Sequence, residues 1–478
     1  MKSLLALLLV LAGSVSAAST PNIIVVLADD LGYGDLHCFG AKDVQTPNLD
    51  KFAAEGLKLT SCYAAHANCS PSRTALMTGR TPTRVGVRDW IPEESPVHLR
   101  RSEITIATLL HNAGYATAHV GKWHLNGEFN LPMQPQPGDH GFDHWFSTQN
   151  NAYPNHRNPD NFVRNGREVG KTQGFASQLV ADEAIHWLRD LRDKSKPFFL
   201  YVCFHEPHEP IATADEYKKL YPSADKSFAA HHGNITQMDA SFGRLMQALD
   251  NDQLRDNTFV MFTSDNGPAI TPHHPHGSAG PLRDKKGSMY EGGIRVPGLV
   301  RWPGQTKPGS VSDEPVCGVD VLPTLCAAAN IVAPNDRKLD GTSFLPMLAG
   351  ESLKRSTPLY WHFNRASSAM KIAIRVGDWK LLAALDKNPS PRDNNITAQS
   401  EQDFKTAEPA TFELYNLKTD LAETTNLIDK EPAKFAELKV AMLAKYHEVR
   451  DESPTWPAWK FTGSEGKKII WEDTANKK

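Results

Sequence analysis

Residues 22–30 read Asn-Ile-Ile-Val-Val-Leu-Ala-Asp-Asp. After Asn22 the run is continuously apolar and rich in β-branched side chains, the pattern of a strand buried on both faces. Two carboxylates stand at its C-terminal end. Two later stretches repeat the arrangement. Residues 197–204 (PFFLYVCF) end at His205, and residues 258–263 (TFVMFT) end at Ser264-Asp265-Asn266. Residues 116–120 read as a further strand ending at Gly121-Lys122, and residues 297–301 as another. Helical patterns fill the intervals at residues 104–114, 178–191 and 241–249. Strands alternating with helices indicate an α/β fold, a large and mainly parallel sheet sandwiched by helices. Ligands in such folds sit outside the carboxyl ends of the strands. Asp29, Asp30, Lys122, His205, Asp265 and Asn266 therefore face one crevice.

The character of the chain changes near residues 346–358. Beyond it, residues 372–382 and 413–416 read as antiparallel strands with alternating faces, and residues 432–449 as a helix. Residues 386–408 are polar and read as a loop. This gives a catalytic part over residues 18–350 and a smaller α+β subdomain over 351–478. Residues 1–17 form an export signal: Lys2, the apolar run 4–12, and Val15-Ser16-Ala17 as the cleavage site. That run is too short to span a bilayer. The mature chain is expected to be exported, to the periplasm or the medium. A net charge of −3 argues against nucleic acid or an anionic membrane as partner. Six cysteines are too few for a disulfide scaffold. Asn234-Ile-Thr and Asn395-Ile-Thr are glycosylation sequons.

Cys69-Ser70-Pro71-Ser72-Arg73 opens a helix. Pro71 suits its first turn, Ser70 can cap it, and Gly79 can end it in a left-handed conformation. Residue 69 thus sits at a helix N-terminus, where N–H groups and the dipole favour an anion, and Arg73 lies one turn on. Asp29-Asp30 and Asp265-Asn266 supply hard oxygen ligands, suited to Ca2+ or Mg2+ rather than zinc. Lys122 and His124, alternating around Trp123, offer a cation and a base. His205 and His208 belong to a twice-repeated His-Glu-Pro, and Lys285-Lys286 border a Gly-rich loop. His273, His274 and His276 read as a loop near substrate, not a zinc site. Trp90, Trp145, His205, Trp361 and His362 are candidates to line a sugar subsite.

Together and in this order, these motifs resemble the type I sulfatases of the alkaline-phosphatase-like superfamily. Gly377-Asp378-Trp379-Lys380-Leu381 and residues 413–417 are similar to the C-terminal subdomain of that family. The resemblance implies hydrolysis of a sulfate monoester, on a carbohydrate or other sulfated glycan. It implies that a maturation enzyme oxidises Cys69 to formylglycine, whose hydrate is the nucleophile. It further implies one divalent cation, Ca2+ before Mg2+, on Asp29, Asp30, Asp265, Asn266 and residue 69. Arg73 would stabilise the hydrate, Lys122 and Lys286 would hold sulfate oxygens, with His205 a less certain substrate contact. His124 would assist the hydrate and His208 would protonate the leaving alcohol. Asn126 departs from the family, which has Gly there. A phosphomonoester or phosphonate hydrolase of the same superfamily, or an inactive glycan-binding homologue, are the alternatives. Oligomeric state is not legible.

Overall fold

A computed structural model describes residues 20–387 and 393–471; the export signal expected over 1–17 lies outside them. The centre of the molecule is a ten-stranded sheet. Its middle strands are those the apolar runs foretell. The Asn22–Asp29 strand runs parallel to both Phe198–Pro207 and Thr258–Ser264, and Ala116–Lys122 runs parallel to Phe198–Pro207. Gly298–Arg301 is antiparallel to Thr258–Ser264, so the sheet is mixed at that side. Every residue of the Asn22–Asp29 strand is buried. One apolar cluster holds Ile23, Val25 and Leu27 with Phe199, Tyr201, Phe259 and Met261 on one face. A second holds Ile24, Val26 and Ala28 with Leu200, Val202, Val260 and Phe262 on the other. This division is the period-2 alternation of a doubly covered strand.

The structure departs from the sequence reading at four points. The helix expected over 241–249 is the second half of Lys226–Asn251. Its first half carries buried polar residues that hide the amphipathic pattern, such as Asn234, whose side chain donates to Ala212 O, and Asp239, which accepts from Leu49 N. Asn234 is fully buried, so its sequon cannot carry a glycan in the folded protein. The polar stretch 386–408 is not all loop: Ala398–Thr406 is a helix capped by Thr397. The short His144–Thr148 strand, parallel to Ala116–Lys122, was not foreseen.

Beyond residue 358, Leu359–His362, Ile372–Val376, Trp379–Leu385 and Pro409–Asn416 form a four-stranded antiparallel sheet. The Pro432–Glu452 helix covers one face through Leu438, Met442, Tyr446 and Val449. The other face packs Trp361, Ala373 and Leu382 against Tyr63, Ala65 and Met289 of the first part. Lys380, fully buried, bridges Glu291 and Glu423 at 2.9 Å each across this seam. The C-terminal sheet thereby props up the segment that carries Lys286. All six cysteines are free thiols. Among the described residues no helix is long and apolar enough to cross a membrane.

Candidate functional site

The register of the sheet explains why residues far apart in sequence meet. Ala28 lies opposite Ser264, so Asp29 and Asp265 leave the sheet side by side. Gly121 lies opposite Cys203, and Lys122 opposite Thr148. All these strand ends open onto one place. Above it, Cys69–Thr78 forms a helix whose every residue is buried. The cap is Asn68, whose side chain accepts from Cys69 N at 3.1 Å, not Ser70. Ser70 Oγ instead accepts from Ile91 N at 3.0 Å. Gly79 closes the helix at φ 67°, as its position requires.

Three carboxylates and three cations interlock here. Lys122 Nζ donates to Asp29 Oδ2 at 2.6 Å. Lys286 Nζ sits 2.7 Å from Asp30 Oδ1. Arg73 donates through Nε and NH2 to Asp265 Oδ2 at 3.0 and 2.7 Å, and through NH1 to Lys122 O at 2.9 Å. Asn266 Nδ2 donates to Asp30 Oδ1 at 2.7 Å. Asp30 holds a left-handed backbone, φ 64°, which costs a non-glycine residue of order 1 kcal/mol. Its own N–H donates to Asp265 Oδ1. Asp29, Asp265 and residue 69 present ligand atoms within 4.8 Å of one another, as do Asp29, Asp30 and His208.

Two oxygens in this centre, Asp29 Oδ1 and Asn266 Oδ1, are buried without a hydrogen-bond partner. An unpaired buried acceptor costs about 1–3 kcal/mol. Burial, then the Asp29 charge, push Asp265 up to about 7 despite its two bonds from Arg73. The two unmet acceptors are what a further cation would satisfy. The donors are all oxygens apart from residue 69, so a hard divalent ion such as Ca2+ fits them. Burial also pushes the Cys69 thiol up to about 11. The unmodified side chain is a neutral thiol near pH 7, a poor nucleophile.

The histidines have defined tautomers. His124 Nε2 faces the carbonyl of Ile91 at 3.1 Å and must donate to it, leaving a buried, unpartnered Nδ1 lone pair. Burial, then Lys122, hold this imidazole well below the usual histidine range. His208 Nδ1 donates to Glu209 O, which directs Nε2 toward Asp30 Oδ2 at 3.6 Å. His205 is fully buried. Its Nε2 meets Thr148 Oγ1 at 2.8 Å, and Thr148 already donates to Asn150 O, so His205 is the donor there. It lies one layer behind the charged centre.

The other candidates divide. Trp361 donates to Ala64 O at 2.8 Å and His362 bonds Asn364 at 2.7 Å, both inside the core. Trp145 is buried against Phe129. Of the proposed sugar contacts only Trp90 is half-exposed, its ring 6.4 Å from that of His124. His273 stacks on Trp471, while His274 is buried against His231 and His276 pairs with Asp225. Sequence reasoning missed the segment after the short 144–148 strand. There Gln149 O accepts from His124 N at 2.6 Å, and His156 lies fully buried with its ring 5.4 Å from that of His205. It also missed Glu465, whose carboxylate accepts from Glu93 N at 3.0 Å and faces Asn150 Nδ2 at 3.3 Å. Neither stands in a recognisable motif; the only signal is a polar run following a strand end.

Comparison with known proteins agrees with this geometry. The family model described as Sulfatase matches residues 21–331, and that described as N-sulphoglucosamine sulphohydrolase, C-terminal, matches residues 282–389. The chain is 35% identical over 390 residues to the N-acetylgalactosamine-6-sulfatase of Rattus norvegicus, covering 76% of this chain and 71% of the relative. It is 33% identical over 460 residues to arylsulfatase A of Homo sapiens, covering 88% and 86%. The structure of Ps i-CgsB in complex with k-i-k-neocarrahexaose superposes with a TM-score of 0.78 at 30% identity, covering 94% of this chain and 96% of the other.

Proposed function

Because the chain belongs to the sulfatase family, and is thereby a sulfuric ester hydrolase, we propose that it frees sulfate from a sulfated glycan at residue 69, after conversion of Cys69 to formylglycine and with one Ca2+ bound. The observation that carries this reading is the centre itself. Three carboxylates and three cations meet around residue 69, and two buried oxygens are left without partners.

Asp29, Asp30, Asp265 and Asn266 would hold the ion together with residue 69. When bound, Ca2+ supplies positive charge that polarises sulfate oxygens and saturates the orphaned acceptors. The hydrated aldehyde at residue 69 supplies a hydroxyl nucleophile and, on the same carbon, the second hydroxyl that lets sulfate leave. Arg73, pinned on Asp265 and Lys122 O, holds the helix N-terminus in place against the strand ends. Lys122 and Lys286 enter from opposite sides, each tethered to a different aspartate. They are positioned to bind two sulfate oxygens as negative charge grows on them. His208, whose Nδ1–H is held by the Glu209 carbonyl, can take up and give a second proton only at Nε2, the nitrogen facing the site. That is the arrangement a donor to a departing alcohol oxygen needs. His124 keeps a free Nδ1 lone pair and serves as base toward the second hydroxyl.

Galactose-configured sugars are the substrates we favour. The N-acetylgalactosamine-6-sulfatase relatives and the neocarrahexaose complex support that choice. The expected export signal places the enzyme in the periplasm or medium, where a maturation enzyme and sulfated glycans would be its partners. Mass spectrometry of the tryptic peptide 59–73 from the natural host tests the first step. Loss of the thiol sulfur with gain of an aldehyde at residue 69 is the expected result. A plain cysteine in protein that nevertheless turns over sulfate esters would overturn it.

A further inference from the structure

Beside the charged centre, the C-terminal segment lies along residues 86–95. Trp456 Nε1 donates to Gly86 O at 2.8 Å and Arg88 to Pro454 O at 3.0 Å. Trp459 exchanges both backbone hydrogen bonds with Ile396, at 2.8 and 2.9 Å. Phe461 packs edge-on against Trp90, with ring centres 5.9 Å apart. Between these pieces runs a cleft lined by Trp90, Trp456 and Trp459, all half-buried, with asparagines 364, 394 and 395 among them. Flat indole faces alternating with amide groups are what a sugar ring requires, C–H faces on aromatics and hydroxyls on amides. Asn394 Oδ1 is a buried acceptor with no partner of its own.

The charges of the cleft are already spent on each other. Arg88 pairs with Glu401 at 2.7 Å and Arg365 with Asp89 at 2.8 Å. Among the described residues that line it, both cations are thus paired, and none is left to draw in a second sulfate or a uronate. The cleft nonetheless adjoins the centre: Asp89 accepts from Asn68, the cap of residue 69, at 2.9 Å, and the ring of Trp90, which lines the cleft, lies 6.4 Å from that of His124.

We propose that this cleft is the subsite for the uncharged sugar adjoining the sulfated one, with the Trp459 indole as its stacking face. The inference rests on the sulfatase reading above and names the part of the glycan that the charged centre does not hold. Trp459 is the residue to change, because its backbone bonds to Ile396 survive loss of the ring.

The test uses κ-neocarratetraose, in which sulfated galactose alternates with uncharged anhydrogalactose, and galactose 4-sulfate as the single-sugar control. Binding is measured by calorimetry, and sulfate release by ion chromatography. Trp459→Ala should weaken tetrasaccharide binding and raise its KM by about tenfold, the scale of one aromatic contact. Trp459→Phe should restore most of that, and the loss on the monosaccharide should be several-fold smaller. Equal affinity of wild type and Trp459→Ala for the tetrasaccharide, or equal losses on both sugars, would overturn the proposal, as would a wild type that binds no tetrasaccharide. Wild type that binds the tetrasaccharide through Trp459 yet frees no sulfate supports the cleft and overturns the galactose-sulfate substrate proposed above. Sulfate release that Trp459→Ala leaves untouched does the reverse.

Discussion

Two clusters of buried charge stand within this molecule, and they are built to different ends. At the seam between the sheets, Glu291 accepts from Tyr63 at 2.6 Å and Arg295 at 3.2 Å, and pairs with Lys380 at 2.9 Å. Lys380 also reaches Glu423, whose other oxygen accepts from Glu291 N at 2.6 Å. Both oxygens of Glu291 are occupied. At the strand ends, Asp29, Asp30 and Asp265 meet an equal number of cations, yet Asp29 Oδ1 and Asn266 Oδ1 are left without a partner. The seam joins two parts of a fold: Glu291 is fully bonded, and Glu423 Oε1, which lacks a hydrogen bond, lies 2.9 Å from the Lys380 ammonium. The centre leaves two acceptors open around residue 69 and is prepared for something that arrives later. Burial alone does not mark a functional charge; open acceptors gathered at one point do.

Substitutions should separate the two. The largest effect is expected from Cys69→Ala in protein matured at that residue in the wild type. Sulfate release should fall by at least about 10^3-fold, since a nucleophile is lost, while the melting temperature stays within a few degrees. Activity near wild type would remove residue 69 from the chemistry. Asp265→Asn should also abolish most turnover, and stripping divalent ions with a chelator should mimic it. Added Ca2+ should rescue the chelated wild type and raise its unfolding temperature through mass action. Failure of Ca2+ to shift unfolding would contradict the proposed ion.

The seam should answer in stability instead. Glu291→Gln leaves Lys380 and Arg295 with less compensation and should cost about 3–5 kcal/mol, the usual result of breaking one side of a buried pair. Burial pushes the Glu291 carboxyl up, but Lys380, then Arg295 and Arg375, outweigh it and hold it at about 2, against 4.5 when exposed. The stabilisation is therefore complete above pH 4.5 and is lost as pH falls through about 2. Denaturant titrations across that window should show a steep loss for wild type that Glu291→Gln lacks; parallel curves would count against the assignment.

The smallest effect is expected at Asn126. Its Nδ2 donates to Pro135 O at 2.8 Å, and its carbonyl accepts from Gln149 at 2.7 Å. Asn126→Gly keeps the second bond and loses the first. A stability loss of about 1 kcal/mol with kcat within threefold of wild type is expected. A large fall in kcat would show that the loop after His124 depends on this side chain.

The same contrast explains what the sequence disclosed. The centre was legible because doubly buried parallel strands are unbroken apolar runs, and polar residues at their ends stand out. The apolar runs thus place Asp29, Lys122 and Asp265 in one crevice from sequence alone. The seam was not, because nothing in the sequence pairs Lys380 with Glu291, family-like though their stretches are, and only tertiary packing brings them together. The segment 149–156 escaped for a related reason: its supporting strand, His144–Thr148, is short and half polar. Trp361 and His362 misled in the opposite direction, since an aromatic pair in a core and one in a binding face look alike in sequence.

The ten residues from Cys69 to Thr78 are all buried, beneath strands that the ribosome makes much later, Phe198–Pro207 and Thr258–Ser264. On the proposed oxidation of residue 69, an enzyme that must grip this segment could do so only while the chain is open. Activation would then be a race run once in the life of each molecule, between a modifying catalyst and long-range strand pairing, which is slow to form. A chain that folded first would keep its thiol. Conditions that delay closure of the sheet should then raise the fraction of competent molecules, even where they lower the total yield.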